Sequence, residues 1–196
     1  SKKIALIDSL TEAGIRRMEV TSFVSPKVIP QLSDAREVMT GIHRAADGVY
    51  IALVPNLKGT EGALEANADG VKIVLCTSDS YNRRNVGMTV QESLHSCDQV
   101  LRAAKAAGKF AEAVIGLAFG CPIEGPIPED RVVEIVRSLA QMGYDEISVA
   151  DTMGTANPVQ VRHMMRHLLD EFPSAHFSLH LHNTRGLALA NALVAW

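Results

Sequence analysis

The sequence predicts a (β/α)8 TIM barrel that is incomplete within these 196 residues, with barrel strands 2 to 7 visible and strands 1 and 8 missing. Short apolar runs rich in Val, Ile and Leu alternate with amphipathic runs at helical spacing, with a repeat of about 30 residues. Polar residues recur where the apolar runs end. No G-x-G-x-x-G motif follows any apolar run, which counts against a dinucleotide-binding open sheet.

Six apolar runs have the length and composition of buried parallel strands. They are Met18–Phe23, Val49–Pro55, Val71–Cys76, Ala113–Phe119, Glu146–Ala150 and Phe177–His182. Seven amphipathic runs are predicted as helices. They are Lys2–Gly14, Ser33–Ala45, Gly59–Ala68, Thr89–Gly108, Pro128–Gly143, Pro158–Phe172 and Leu187–Trp196. Glycines after several runs and Asn157 before Pro158 mark helix ends and a helix start.

The polar residues at the strand ends favour a barrel over an open doubly wound sheet, which is the competing closure. They are Glu19, Thr21, Ser22, Asn56, Thr77, Asp151 and His182. In a barrel these ends form one ring at the catalytic face, whereas an open sheet spreads them over two sides of a crevice. Because no long linker interrupts the alternation, residues 1–196 are predicted to form a single partial TIM-barrel catalytic domain.

Composition excludes several classes of partner. A net charge of −3 gives no basic field for nucleic acid or anionic lipid. No apolar run approaches the ~20 residues that span a bilayer, so no membrane association is expected. Three widely spaced cysteines argue against a disulfide framework and indicate a reducing, intracellular setting.

The sharpest candidate site is the pair His180 and His182 on the last predicted strand. Residues two apart on a strand point the same way, so both imidazoles are expected to face the barrel interior. Such a pair can occupy adjacent positions on one divalent cation. Oxygen-rich partners would favour Mg²⁺ or Mn²⁺, and a third imidazole or a thiolate would favour Zn²⁺. The alternative is two structural histidines, which the position at a strand end disfavours.

Two carboxylates are further candidates. Asp151 can orient a metal-bound group, accept a proton or hydrogen-bond His180; alternatively it caps a short helix. Glu19 lies in an otherwise apolar strand, where an unpaired charge is costly. We expect it to meet an arginine, either in the active site or in a structural role.

Two loop residues allow two interpretations each. Asn85 is placed to hydrogen-bond a substrate carbonyl or carboxylate, although turn formation is the simpler interpretation of both Asn85 and Asn56. Cys121 follows a strand, where a reactive thiol is one interpretation. A small residue in the pocket wall is the favoured one.

Segments along the whole chain together resemble the 3-hydroxy-3-methylglutaryl-CoA lyase family of aldolase-like, metal-dependent TIM-barrel enzymes. Their nearly constant spacing makes the match more specific than any single motif. The matching segments are residues 19–27 (EVTSFVSPK), Pro30-Gln31, residues 55–59 (PNLKG), Asn85, Gly120-Cys121-Pro122, Glu124-Gly125, Asp151-Thr152 with Gly154, His180-x-His182, Thr184-x-Gly186 and Leu189-Ala190-Asn191.

The resemblance implies a retro-Claisen cleavage of a 3-hydroxyacyl-CoA. In the type reaction, 3-hydroxy-3-methylglutaryl-CoA gives acetyl-CoA and acetoacetate. The implied substrate is an acyl-CoA, the implied cofactor is a divalent cation, Mg²⁺ or Mn²⁺, and the implied process is leucine degradation. A homodimer in the cytoplasm is expected, or in the mitochondrial matrix for a eukaryotic source.

The resemblance also assigns catalytic roles. His180 and His182 match two metal ligands of the family, whose other ligands are an Asp before these residues and an Asn after them. Glu19 matches the residue that holds the catalytic arginine of an N-terminal Arg-Asp motif. Asp151 matches a residue beside the reacting hydroxyl, and His180 is placed both to bind the metal and to move protons.

Substrate-binding roles follow in the same way. Asn85 and Ser22 match pocket residues near the acyl group, and Thr152 and Arg185 are further candidates. The family usually has Asp at the position of Asn183, and well-known members have Tyr at the position of Arg185. The added positive charge would suit a differently placed carboxylate, so a shorter hydroxyacyl-CoA such as citramalyl-CoA is an alternative substrate.

Two other functions remain open. One is a Claisen-type synthase of the same barrel group, since isopropylmalate synthases share the H-x-H ligand pair. The other is a non-catalytic truncated barrel. The family's catalytic cysteine belongs to a Gly-Gly-Cys-Pro loop beyond Trp196, so Cys121 does not inherit that role.

Overall fold

The structure is a computed structural model that describes all 196 residues. They form two compact units. The first unit consists of Ser1–Ile73 with Gln99–Ala111, and the second of Val74–Asp98 with Glu112–Trp196. The single-domain organisation stays a prediction.

Six strands follow one another in a single sheet, in the order β1-β2-β3-β4-β5-β6. They are β1 Arg17–Ser22, β2 Val49–Leu53, β3 Gly70–Cys76, β4 Phe110–Gly116, β5 Glu146–Asp151 and β6 Phe177–Leu181. The pairings of β1 with β2, β2 with β3, β4 with β5 and β5 with β6 are all parallel. A doubly wound sheet needs a point where the strand order reverses. The sequential order therefore excludes that alternative and retains the barrel class.

Eight α-helices are distributed among the strands. They are α1 Lys2–Glu12, α2 Ala35–Gly41, α3 Leu57–Glu65, α4 Asp79–Val86, α5 Val90–Ala106, α6 Glu129–Met142, α7 Pro158–Glu171 and α8 Ala188–Ala195, and a 3-10 turn at Pro30–Leu32 precedes α2. Asn157 caps α7 as predicted, in a reciprocal capping box with Gln160. None of these helices is both long and apolar enough to cross a bilayer.

Helix α4 is absent from the prediction, because its sequence DSYNRRNV carries no apolar stripe. Its ends do carry helix signals. The Ser78 hydroxyl accepts a hydrogen bond from the Tyr81 amide, and Gly87 closes the helix with a φ of 75°. Asn85 therefore lies on a helix and is exposed, and the interpretation of Asn85 as a turn residue is wrong.

In the first unit, β1 is irregular next to Glu19, one of the candidate site residues. Its register against β2 shifts between Glu19 and Thr21, so one extra residue is inserted there. Such bulges bend a strand and re-aim side chains, and they are common beside active sites.

Tyr50 anchors β2 to α1, since its hydroxyl lies 3.2 Å from the Thr11 hydroxyl and accepts from the Ala45 amide at 2.9 Å.

In the second unit, β4 ends three residues earlier than the apolar run 113–119 predicted. Leu117 is fully buried and has a φ of 60°, a left-handed conformation that ends the strand. Two threonines bind its backbone: the Thr77 hydroxyl donates to the Leu117 carbonyl at 3.0 Å, and the Leu117 amide donates to Thr152 Oγ1 at 2.8 Å. Apolar character alone does not reveal this turn.

Asn82, three residues before Asn85, is fully buried and joins three parts of the second unit. Its Oδ1 accepts from the Cys76 amide at 2.9 Å. Its Nδ2 donates to the carbonyls of Met88 and Thr89 at 2.9 and 3.0 Å and to Ser93 Oγ at 2.7 Å. One side chain thus ties the end of β3 to the loop before α5 and to α5 itself.

Replacing Asn82 by alanine is expected to lower the free energy of unfolding by about 2–4 kcal/mol, since several buried polar groups lose their partner at once. Asn85→Ala, an exposed substitution on the same helix, is the matched control and is expected to stay within about 0.5 kcal/mol of the parent. Urea denaturation followed by circular dichroism measures both. Equal losses in the two variants would contradict the structural role of Asn82.

Candidate active site

His180 and His182 converge at the end of β6. The strand ends at Leu181, one residue earlier than predicted, so His182 is the first residue of the following loop. The two Nε2 atoms nevertheless lie 3.1 Å apart, with ring centroids 5.1 Å apart and ring planes inclined by 51°. Both residues are exposed. The two imidazole edges are therefore directed at a common point that solvent can reach.

This separation fits two ligands of one divalent cation. With metal–nitrogen bonds of ~2.0–2.1 Å, adjacent ligands on a metal stand about 3 Å from each other. The 3.1 Å between the Nε2 atoms agrees with that spacing. No group of three or more His, Cys, Asp or Glu side chains in the chain is arranged to hold a metal. The pair thus offers two ligand positions, and other groups must supply the rest.

The end of β5 and the loop that follows it contact the backbone of His182. The His182 amide donates to the Asp151 carbonyl at 3.4 Å. Gly154 has a φ of 63°, and a Cβ there would stand 2.8 Å from the His182 carbonyl and would overlap Thr184. Glycine is therefore required both for its backbone conformation and for the close approach of the His182 backbone.

Asp151 is buried at the end of β5, with both carboxylate oxygens occupied. Oδ1 accepts from the Thr155 amide at 3.1 Å, and Oδ2 accepts from the Ala156 amide at 3.0 Å. These bonds fix the carboxylate in one orientation and shape the loop before α7, whose cap is Asn157. No short helix follows Asp151, and the N-cap of α7 is Asn157, so the capping alternative for Asp151 is wrong. The role of Asp151 toward His180 stays a prediction.

The other candidates of the second unit have different surroundings. Thr152 uses its oxygen to accept from the Leu117 amide, as described above. Arg185 is exposed, with Nη1 3.5 Å from the Thr155 carbonyl, so its guanidinium remains available to solutes. Asn85 is exposed on α4. The substrate contacts of all three stay predictions.

Cys121 is buried in a small apolar cluster with Cys76 and Leu117. Its Sγ is 3.1 Å from the Ser78 hydroxyl and accepts from the amides of Ile123 and Glu124, each at 3.4 Å. It packs against Cys76, whose thiol pKa is raised to about 11, mainly by burial. All three cysteines are free and buried, and the placement of Cys121 in a pocket wall stays a prediction.

In the first unit, the cation that Glu19 needs is Lys72 of β3. The Lys72 ammonium lies 3.1 Å from Glu19 Oε2, and the side chains retain 17% and 41% of their exposure. The sequence predicted an arginine as the partner of Glu19. The structure shows Lys72 in contact with Glu19, and the contact with an arginine stays a prediction. Sequence reasoning missed Lys72 although the signal was present, because a charge inside the apolar run GVKIVLC calls for a partner just as Glu19 does.

Ser22 is buried at the end of β1, beside a second polar side chain. The preceding Thr21 has a buried hydroxyl oxygen with no hydrogen-bond partner. A cavity of about 310 Å³ lies nearby in the sequence, and its lining begins at Phe23, the residue after Ser22. It is lined by Phe23, Val24, Ser25, Pro26, Leu32, Ser33, Ala35, Arg36, Pro55, Asn56, Lys58 and Gly59.

The model of the HMGL-like family matches residues 1–196, the whole chain. The chain belongs to the HMGL-like family. It is 41% identical over 193 residues to the hydroxymethylglutaryl-CoA lyase YngG of Bacillus subtilis (strain 168), covering 98% of this chain and 64% of that protein. The family resemblance seen in the sequence is therefore confirmed.

Solved structures of HMGL-like proteins agree. The HMG-CoA lyase of Bacillus subtilis superposes with a TM-score of 0.96 and 41% identity, covering 99% of this chain and 65% of that one. An HMG-CoA lyase from Acinetobacter baumannii in complex with coenzyme A and 3-methylmalate gives 0.93 and 42%, covering 99% and 63%. The partial TIM-barrel prediction is confirmed, and the chain spans less than two thirds of each of these relatives.

His180→Ala and His182→Ala are each expected to weaken Mn²⁺ or Mg²⁺ binding by at least about tenfold, because each removes a nitrogen ligand. Isothermal titration with MnCl₂ measures the affinity. His163→Ala, which removes an exposed imidazole on α7, is the control and should bind Mn²⁺ as the parent does. Unchanged titrations in both test variants would rule out the ligand assignment.

Gly154→Ala is expected to weaken Mn²⁺ binding as well, since a Cβ would displace the loop that carries His182. Gly87→Ala is the matched control. Gly87 also has a positive φ, 75°, but a Cβ there meets open space, so only the backbone cost of about 1–2 kcal/mol applies. Thermal unfolding and Mn²⁺ titration of both variants separate the two effects. If Gly154→Ala binds Mn²⁺ normally, the loop does not position His182.

Proposed function

We propose that this protein is a metal-dependent carbon–carbon lyase that cleaves 3-hydroxy-3-methylglutaryl-CoA, or a close analogue, into acetyl-CoA and acetoacetate. The observation that carries the proposal is the convergence of His180 and His182 Nε2 at 3.1 Å, in a chain that belongs to the HMGL-like family. Lyases of this name from Bacillus subtilis and Acinetobacter baumannii are similar to it over nearly its whole length.

His180 and His182 hold the cation, Mg²⁺ or Mn²⁺, with their Nε2 atoms. Once bound, the cation supplies a Lewis acid that polarises substrate oxygen. The two histidines supply two ligands, and a catalytic metal site needs further positions that water, substrate or other protein groups can fill.

The reaction needs one proton removed and one returned. A base takes the proton of the C3 hydroxyl, the electron pair of the C2–C3 bond passes to the thioester as an enolate, and that enolate is protonated at C2. His180 is the group we assign to proton movement, and Asp151 lies beside the reacting hydroxyl. The two amides that bind the Asp151 carboxylate support such a role, because they hold it in one orientation.

The other assignments concern binding and orientation. Glu19 of the first unit holds a catalytic arginine, and Ser22 binds near the acyl group. In the second unit, Asn85, Thr152 and Arg185 complete the proposed contacts. The exposed guanidinium of Arg185 supports a carboxylate on the substrate, because a planar fork of donors matches that group.

The proposed partner is an acyl-CoA. The relative from Acinetobacter baumannii was solved with coenzyme A. Lys58 borders the cavity of about 310 Å³ in the first unit and offers positive charge to phosphate groups. We further propose a homodimer that acts in leucine degradation in the cytoplasm, or in the mitochondrial matrix if the source is eukaryotic, without nucleic-acid or membrane partners.

Incubation of the purified protein with 3-hydroxy-3-methylglutaryl-CoA and Mg²⁺ or Mn²⁺ is expected to release acetyl-CoA and acetoacetate in equal amounts, detected by mass spectrometry. EDTA should abolish the release, and added Mn²⁺ should restore it. A panel that includes citramalyl-CoA identifies the preferred substrate. Turnover only in the condensation direction would indicate a synthase, and no turnover of any member would indicate a non-catalytic barrel.

A further inference from the structure

We infer that Lys72 is a positioning residue that holds the Glu19 carboxylate in its working orientation. The inference rests on the proposed function, in which Glu19 serves the lyase reaction. Its basis is a contact within the first unit: Lys72 Nζ lies 3.1 Å from Glu19 Oε2, across the intervening strand β2.

The register of the strands explains how the two side chains meet. Glu19 pairs with Ile51 of β2, and Lys72 pairs with Leu53, two residues further along the same strand. Residues two apart on a strand project from one face. Glu19 and Lys72 therefore project from the same face of the sheet and can bridge over β2.

The limited exposure of Lys72 restricts the orientation of the Glu19 carboxylate that it contacts. Lys72 retains only 17% of its side-chain exposure, so most of its stem is packed and its ammonium has little freedom. Glu19 retains 41%, so without the ammonium its carboxylate is free to turn toward water. A carboxylate has two oxygens, and Lys72 engages Oε2, which leaves Oε1 to bind a second cationic group. Lys72 thus fixes one oxygen so that the other is presented in a defined direction.

The bulge in β1 increases the need for such a restraint. It lies immediately after Glu19, between Glu19 and Thr21, where the strand's regular pairing with β2 is interrupted. A side chain at a bulge is less constrained by its own strand than one in a regular ladder. The ammonium from β3 supplies the missing constraint.

Lys72→Met is expected to lower kcat by about 10- to 100-fold with little change in KM, the loss that a misplaced catalytic group produces. Lys72→Arg, which keeps a cation within reach of Glu19, should recover most of the rate. The matched control is Lys3→Met, which breaks another lysine–carboxylate pair, with Asp34, and should leave kcat unchanged. Circular dichroism verifies that each variant is folded before rates are compared.

A double-mutant cycle decides whether Lys72 acts through Glu19. In the Glu19→Gln background, Lys72→Met should change kcat by less than about twofold, because the carboxylate that it positions is gone. The same loss in both backgrounds, or an unchanged kcat in Lys72→Met, overturns the inference while leaving the lyase proposal intact. Absence of turnover in the parent protein overturns the lyase proposal and, with it, this role of Lys72.

Discussion

The left-handed turn at Leu117 is the constraint on which the second unit depends. A non-glycine residue in this conformation costs about 1–2 kcal/mol. Its carbonyl accepts a hydrogen bond from Thr77 and its amide donates one to Thr152; each contributes about 1 kcal/mol, so together they offset that cost. Because Leu117 is fully buried, its amide and carbonyl need these partners in any case. The turn ends β4 where the loop that carries Cys121 begins, and it ties three consecutive strand ends together.

Other buried polar residues of the second unit also stabilise loops by binding backbone groups. Asp151, Thr152 and Asn82 are largely buried and form most of their hydrogen bonds with backbone groups. Burial also keeps two thiols protonated, since it raises the pKa of Cys76 to about 11 and that of Cys97 to about 12. His180 and His182 are exposed and converge on each other instead. The buried polar groups therefore stabilise the loops, and the exposed pair His180 and His182 is the candidate metal-binding group.

Much of the fold could be predicted from the sequence, because each strand is an apolar run and each amphipathic helix has a stripe that must be buried. The pair His180 and His182 could be predicted for a similar reason, since a spacing of two fixes a common side on a strand. The early end of β6 at Leu181 did not disturb that result. Local periodicity and spacing were sufficient for these features.

The features that escaped prediction depend on contacts between distant segments. Helix α4 has no apolar stripe, and it is held by Asn82, which joins β3 to α5. The candidate residue of this helix in the sequence, Asn85, is exposed, whereas the structural residue Asn82 is buried. The turn that ends β4 at Leu117 is held by hydrogen bonds with Thr77 and Thr152, which lie 40 and 35 residues away in the sequence.

Lys72 shows what additional reasoning could have recovered. A charged residue inside a strand must find an opposite charge or remain in water, because an unpaired buried charge is costly. Glu19 and Lys72 are both such residues, on strands that flank β2, and the parallel order of a barrel brings them within one strand of each other. Pairing the unexpected charges of neighbouring strands would have identified Lys72 as the partner. The lysine does not replace the arginine that the family resemblance implies, because Lys72 contacts only one of the two oxygens of the Glu19 carboxylate in this ion pair.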